Sequence, residues 1–475
     1  IMMNGEIKVN EQVKKWLIVI GSGILVYLIP VPAGVKPLAW KLLAVFVATI
    51  VGCIIQPIPL GAISMVSLCL VGFLNLATIN ELLAGFSNST IWLIVSAFLL
   101  SRGFSKTGLG RRISYLLISY FGDRAIKLGF AIMLSEYVFS PATPSTTARG
   151  GAIVYPIARS LASAFNSEPG PTAKKIGAYL MQVGFQSNCV SGGLFLTAMI
   201  ANPVMVLFAQ QAFGVNISWM DWAIAAFLPG TLAMIAIPVV LYYILPPEQK
   251  KTPEAPVLAR KELDHMGPMS LDEKIMCAVF IGSILLWATA SQTKLDATLI
   301  ALGSGAVLMV TNVLTWKDIL GETGAWDAMI WVGVLSTIAG LLNKHGLIAW
   351  FSKTTAASLV GIPWMWTLVA LLLIYLYSHY LFASITGHVV AMYPAFIAVA
   401  GAAGAPPMLV ALSMGFFSNF FACLTHYGNG VGPIYFGTGY MSQATWWRTG
   451  LAMSVVYLVC YFGVGLPYWK AIGLW

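Results

Sequence analysis

Apolar stretches of about 20 residues, each long enough to cross the ~30 Å hydrocarbon core of a bilayer, recur from Trp16 to Trp469 with short polar breaks between them. No other property of the chain constrains its fold so tightly. Lipid offers no partner to a backbone N–H or C=O, so each spanning stretch must close its own hydrogen bonds, as helices rather than a barrel here. The stretches number about eleven, with two shorter re-entrant candidates. Composition agrees, with 59% of residues hydrophobic and 9% charged, against roughly half and roughly a quarter in soluble domains. The predicted fold class is an all-α polytopic membrane protein.

The net charge of +9 does not point to nucleic acid, because the lysines and arginines are scattered through short connections instead of forming a stripe among exposed aromatics. The positive-inside rule accounts for them. With a cytoplasmic N-terminus, the cations from Lys8 to Lys15, from Arg102 to Lys127 and from Lys174 to Lys261 fall inside. Lys36, Lys41, Lys294, Lys344, Lys353 and Lys470 fall outside. The first apolar run lacks a small-residue cleavage pattern and reads as one span among many, not a removable signal. These features predict a multi-pass protein of a cell's inner (plasma) membrane, with the lipid bilayer as its constant partner. The six cysteines (Cys53, Cys69, Cys189, Cys277, Cys423, Cys460) sit in apolar runs without paired spacing. They read as small core residues, so neither disulfides nor metal ligands nor a cofactor is expected.

The longest polar stretch, from Pro246 to Asp272, divides the chain into two membrane halves. Landmarks of the first half recur in the second in the same order. Ile91-Trp92 returns as Ile330-Trp331, and Lys106-Thr107-Gly108-Leu109 returns as Lys344-His345-Gly346-Leu347. The same offset carries Ser145-Thr146-Thr147-Ala148-Arg149 onto Ser384-Ile385-Thr386-Gly387-His388, and further on Ser187-Asn188 with Pro203 answers Ser418-Asn419 with Pro433. The expected organisation is an N-terminal segment and first span (1–36), a first repeat (37–246) with a hairpin tip near 140–147, a cytoplasmic linker (247–270), and a second repeat (271–475) with a tip near 383–388. Five spans and one hairpin per repeat would turn the second copy upside down, and inverted repeats are a signature of transporters.

The segment Ser140-Pro141-Ala142-Thr143-Pro144-Ser145-Thr146-Thr147 interrupts apolar sequence with two prolines and five hydroxyl residues. Proline disfavours helix in the residue before it, so the chain should turn and a new helix begin near Ser145. The free N–H groups and positive dipole end of that helix, with its hydroxyls, suit a carboxylate. The same reasoning applies at Ser384 to His388, without the prolines. Single hydroxyls in membranes often only bond back to their own backbone. A repeated pair, each with an ionisable residue four positions on, argues for a binding site. Arg149 and His388 are the ionisable residues, and a membrane-embedded charge must face protein, water or ligand. Glu136, the one acid deep in the apolar stretch before the first tip, is open to pairing with an Arg or Lys. Two further stretches rich in Gly, Asn and Pro interrupt spanning helices: Gly192-Gly193 to Pro203, with Thr197 as candidate ligand, and Thr425 to Pro433, with Gly432 and Pro433. Broken helices of this kind line substrate sites, and Ser187, Asn188, Ser418 and Asn419 beside them are secondary candidates.

At both tips the sequence resembles the divalent anion/sodium symporter family, most closely its 2-oxoglutarate/malate translocator and dicarboxylate-exchanger branch. The resemblance covers most of the chain. It rests on Pro141 through Arg149, on Ser384-Ile385-Thr386-Gly387-His388-Val389 through Tyr393, and on Leu424-Thr425-His426-Tyr427 with Gly432-Pro433 and Tyr435-Phe436-Gly437. It implies a homodimer, each protomer having a scaffold domain and an elevator-type transport domain that holds two re-entrant helical hairpins. Family tips carry Ser-Asn-Thr motifs that grip substrate carboxylates and neighbouring sodium ions. Here the positions read Ser145-Thr146-Thr147 and Ser384-Ile385-Thr386, so each tip lacks the amide oxygen for sodium. Arg149 and His388 are expected to compensate charge in place of sodium. An empty transport domain with uncompensated charge would cross a low-dielectric scaffold at a desolvation cost that a bound dianion reduces, favouring exchange. The expected activity is sodium-independent antiport of C4/C5 dicarboxylates (2-oxoglutarate, succinate, malate, fumarate), with a sodium-coupled symporter as the alternative. A channel is disfavoured by the absence of a ring of like charges. An intramembrane enzyme using His379, His388 and His426 lacks an H-E-x-x-H pair or paired carboxylates.

Overall fold

A computed structural model describes residues 2–475, with side chains from residue 11 onward. Residue 1 and the side chain of Lys8, placed inside by the charge rule, lie outside the described residues. Every regular element among the described residues is a helix, as lipid requires.

Among the described residues seven helices are long and apolar enough to cross a membrane, or eight if Ile79–Ser87 and Ser89–Thr107, bent by 47°, make one span. This is fewer than the apolar pattern predicted. Leu60–Phe73 and Ala297–Val310 are only 14 residues each, and the apolar run after residue 176 is cut into Gly177–Ser191 and Ala201–Phe213. Hydropathy counts apolar residues but not the continuity of the helix that carries them.

Parts of the two halves run through similar elements in the same order. Each half has a five-residue helix, Ile79–Leu83 or Trp316–Leu320, that begins with a capping box, Thr78 with Glu81 and Thr315 with Asp318, in which hydroxyl and carboxylate satisfy each other's backbone N–H. The long helices Ser89–Thr107 and Thr323–Lys344 follow. Gly108 (φ 81°) and Gly346 (φ 82°) come just after them, in the left-handed region that glycine enters without a Cβ penalty. Shorter helices, Leu109–Phe121 and Leu347–Ser358, lead away from these corners. Several ion pairs cross between the halves. Lys106 Nζ lies 2.6 Å from Asp318, and Lys344 pairs with Glu81. The end of each long helix thus meets the short helix that precedes the other, so the two long helices run antiparallel.

Stretch 247–270 is a docked element rather than a loose tether. Its helix Glu254–Met266 packs on Leu109–Phe121. Arg112 pins the junction by donating to both carboxylate oxygens of Glu273 (2.6 and 3.1 Å) and to the Gly267 carbonyl (2.8 Å). The molecule's centre is Pro407–Leu424, 89% buried, whereas Pro37–Ile55 is 39% buried and lies at the periphery. The hairpins and broken helices are packed around that centre.

Candidate functional site

At the first tip, helix Ala125–Phe139 runs into a single tight turn at Ser140–Ala142. Thr143 is then extended (φ −130°, ψ 91°), the conformation Pro144 imposes on its predecessor. Helix restarts after Ser145, whose Oγ accepts from the Ala148 N–H at 3.1 Å, and widens into a π-helix at Ala148–Val154 before Tyr155–Ala164. The second tip repeats the plan. Trp364–Tyr377 gives way to a tight turn at Ser378–Leu381, Phe382 is extended, and Ser384 Oγ accepts from the Gly387 N–H at 3.2 Å at the start of Ile385–Ala402. Both serines therefore act as helix caps.

Arg149 is fully buried and so is Glu136. Its Nε donates to Glu136 Oε2 at 2.7 Å, Nη1 to the carbonyls of Thr143 (2.7 Å) and Ala198 (3.1 Å), and Nη2 to Ser191 Oγ (2.9 Å). The Asn188 amide donates to both Glu136 oxygens and to the Thr146 carbonyl (3.0 Å). One ion pair thus ties together both hairpin arms, the tip and the first broken helix. This corrects the charge reasoning drawn from sequence. Arg149 is not an uncompensated cation but one matched by Glu136, and its guanidinium also draws in the carbonyl oxygens of Thr143 and Ala198 and the hydroxyl of Ser191. Losing either partner would leave a buried charge alone.

At the second tip the equivalent positions are Tyr375 and His388, whose rings pack at 4.6 Å between centroids. The Tyr375 hydroxyl pairs with Ser418 Oγ at 2.9 Å. His388 Nδ1 lies 2.9 Å from His379 Nδ1, and His379 Nε2 lies 2.8 Å from the Gly428 carbonyl.

The loop between Leu424 and Gly432 joins the two tips. Gly428 touches His379 of the second, and Gly430 lies against the first so closely that a Cβ there would overlap the Thr147 hydroxyl. Asn429 holds the loop's shape by accepting from the Val431 and Gly432 N–H groups (3.1 and 2.7 Å). Thr147, Gly430 and Pro433 are exposed, Ser145, Thr146, Ser384 and Thr386 half-buried, and Gly432 buried. Asn419 bonds Asn202 across the two broken helices (3.0 Å), and its Oδ1 faces Gly192. The Oδ1 atoms of Asn188 and Asn419, Ser187 Oγ and Thr425 Oγ1 are buried without a protein partner. Buried acceptors of this kind are normally satisfied.

Thr197 stands behind the tip, which corrects its expected role as a substrate ligand. Its hydroxyl donates to the Pro141 carbonyl and accepts from Trp219 Nε1. Ser418, facing Tyr375, is likewise internal. Sequence reasoning missed Asn202, Asn429 and the pairing of Tyr375 with His388. Applying the repeat offset to Glu136 would have found Tyr375.

The chain matches the family described as "Sodium:sulfate symporter transmembrane region" over residues 10–475. It is 45% identical over 460 residues to YflS of Bacillus subtilis, provisionally named a malate transporter, covering 97% of this chain and 96% of that one. It is 43% identical over 469 residues to the chloroplastic dicarboxylate transporter 1 of Spinacia oleracea (98% and 82%), and 35% identical over 462 residues to the L-tartrate/succinate antiporter of Shigella sonnei (93% and 95%). Its fold is similar to those of the YdaH transporter of Alcanivorax borkumensis, with a TM-score of 0.57 at 13% identity over 85% of this chain and 89% of that one, and of MtrF of Neisseria gonorrhoeae, 0.59 at 11% over 96% and 94%. The paired hairpins, the broken helices and a match running nearly the whole length make this chain a member of the divalent anion/sodium symporter family, a membrane transporter and not an enzyme.

Proposed function

We propose that this protein exchanges C4/C5 dicarboxylates across a plasma membrane without sodium. The observation that carries the reading is the convergence of the first tip, the second tip and loop 425–431, where two serine-capped helix starts and the exposed Thr147 offer donors suited to carboxylates. Ser145, Thr146, Thr147, Ser384, Thr386, Gly432 and Pro433 would hold substrate, with Asn188 and Asn419 as polar neighbours. The names of the relatives, which include malate, dicarboxylate and tartrate/succinate carriers, point to the same substrate class.

Sodium independence is supported by the guanidinium of Arg149 among the oxygens of Thr143, Ala198, Ser191 and Glu136, where a metal ion would be redundant. His388 takes the corresponding position in the second half. The crossed ion pairs and antiparallel long helices support inverted repeats at 37–246 and 271–475. On this reading the hairpins and broken helices move as an elevator against the remaining helices, in a homodimer with a cytoplasmic N-terminus.

Uptake of labelled succinate into proteoliposomes tests the proposal. Uptake only into vesicles preloaded with unlabelled dicarboxylate, indifferent to sodium, is expected. Sodium-dependent uptake into empty vesicles would establish instead the symport that the family's description names.

A further inference from the structure

The hydrogen bonds around the second tip count protons. The Gly428 carbonyl can only accept, so His379 Nε2 carries a hydrogen (2.8 Å). In the neutral ring its Nδ1 is then a lone pair, and the His388 Nδ1 facing it at 2.9 Å must supply the hydrogen between them. His388 Nε2 is left as an acceptor, 3.2 Å from Ser378 Oγ. Ser378 has a second option, because its Oγ also reaches the Tyr375 carbonyl at 3.0 Å. If one proton is added at His388 Nε2, that N–H donates to Ser378 Oγ and the serine hydroxyl swings to Tyr375. Every donor keeps an acceptor in both states. A second added proton has no place, since two hydrogens would then face each other between the Nδ1 atoms.

The surroundings accept a cation but do not supply its counter-charge. Phe382 stacks on His388 at 4.2 Å with planes 4° apart, and Phe421 stacks on both rings, at 3.9 Å from His379 and 4.5 Å from His388. Aromatic faces attract cations. Among the described residues no carboxylate forms an ion pair with either histidine. None of the titratable neighbours named next is a carboxylate. Tyr375 lies on the hairpin and Tyr393 on its return arm. Cys53 lies on the peripheral helix, near Gly387, and Cys423 follows Phe421. His426 and Tyr427 lie on the loop, bonded to Trp447 and to the Tyr380 carbonyl. His388 also stands in the first turn of its helix, where the dipole opposes a cation. An arriving dianion would reverse that balance.

From this geometry we infer that His379 and His388 form a binding site for one proton, taken from solvent onto His388 Nε2 when a dicarboxylate dianion binds. The inference rests on the dicarboxylate reading above. Because Glu136 cancels Arg149, this proton is the one positive charge the two tips can add, and the loaded site carries one net negative charge instead of two.

Calorimetric titration of the purified full-length protein with succinate, at a pH where succinate is a dianion and in buffers of different ionisation enthalpy, measures the protons taken up. About one per succinate is expected. In Ser378→Ala, which keeps both rings but removes the acceptor for Nε2–H, uptake should fall at least twofold, and in His388→Gln it should vanish. Succinate binding with no proton uptake by the wild type, or uptake unchanged in both variants, overturns the proton site while leaving the dicarboxylate reading intact. A folded wild type that binds no succinate defeats that reading itself.

Discussion

The first tip and the second share a backbone plan and differ in how they hold positive charge. Both turn tightly, extend one residue, and start a helix on a serine hydroxyl. Where the first has Glu136 and Arg149 locked to each other, the second has Tyr375 and His388, with His379 completing a chain of rings. A permanent cation sealed by a carboxylate braces its hairpin whether or not substrate is present. A ring that gains and loses a proton can respond to what binds. The same architectural device therefore serves as a strut in one half and as a responsive element in the other.

The largest expected effect breaks the strut. Arg149→Ala leaves Glu136 buried and unmatched, which should destabilise the protein by about 3–5 kcal/mol. Replacing both as Glu136→Leu with Arg149→Met should recover most of that loss. Thermal unfolding in detergent checks it, and a single variant melting like wild type would end the claim that the first tip is braced by charge. Next, Gly430→Ala drives a Cβ into the Thr147 hydroxyl. Succinate exchange in proteoliposomes should fall at least tenfold while stability changes by no more than about 1–3 kcal/mol. Gly282→Ala, with open space around its Cβ, should leave exchange unchanged.

Smaller effects sharpen the equivalence. Ser145→Ala and Ser384→Ala each remove a helix cap and should lower stability similarly, by about 1 kcal/mol. Melting temperatures that differ widely would show that the caps are not doing the same job. The smallest effect concerns the outer frame. Hydrogen bonds from Lys106, and then from the Thr315 backbone and hydroxyl, hold the Asp318 carboxyl below the usual aspartate range. A depressed carboxyl contributes stability above its unfolded value, about 3.9, and loses it as pH falls further. Wild type should therefore lose more melting temperature than Lys106→Ala between pH 5 and pH 3, and identical losses would remove the ion pair from the account.

Much of this was legible in the sequence, because a repeat offset is a spatial statement. It put Ser145 opposite Ser384 and Gly108 opposite Gly346, pairs to which the structure gives matching local geometry, and Arg149 opposite His388, which meet different neighbours. The partner of Arg149 was not legible. Glu136 lies on the other arm of the hairpin, and their meeting depends on how far the tip turns. Thr197 was misread because a hydroxyl beside a break looks the same from sequence whether it faces a ligand or a neighbouring carbonyl. Long unbroken helices are fewer than the apolar stretches for a related reason. Glycines and prolines that split a helix are as apolar on a hydropathy scale as those that leave it whole.

The crossed ion pairs also impose an order in time. Lys106 lies 212 residues before Asp318, and Glu81 lies 263 before Lys344. At roughly 5–20 residues per second of synthesis, the first long helix waits on the order of 10–50 s for its partner to be made. During that interval the first half sits in the bilayer without its antiparallel neighbour. Its newly made helices must be sheltered by lipid or by the insertion machinery until the second half arrives, so a truncated first half should be a target for membrane proteolysis and not a small carrier in its own right.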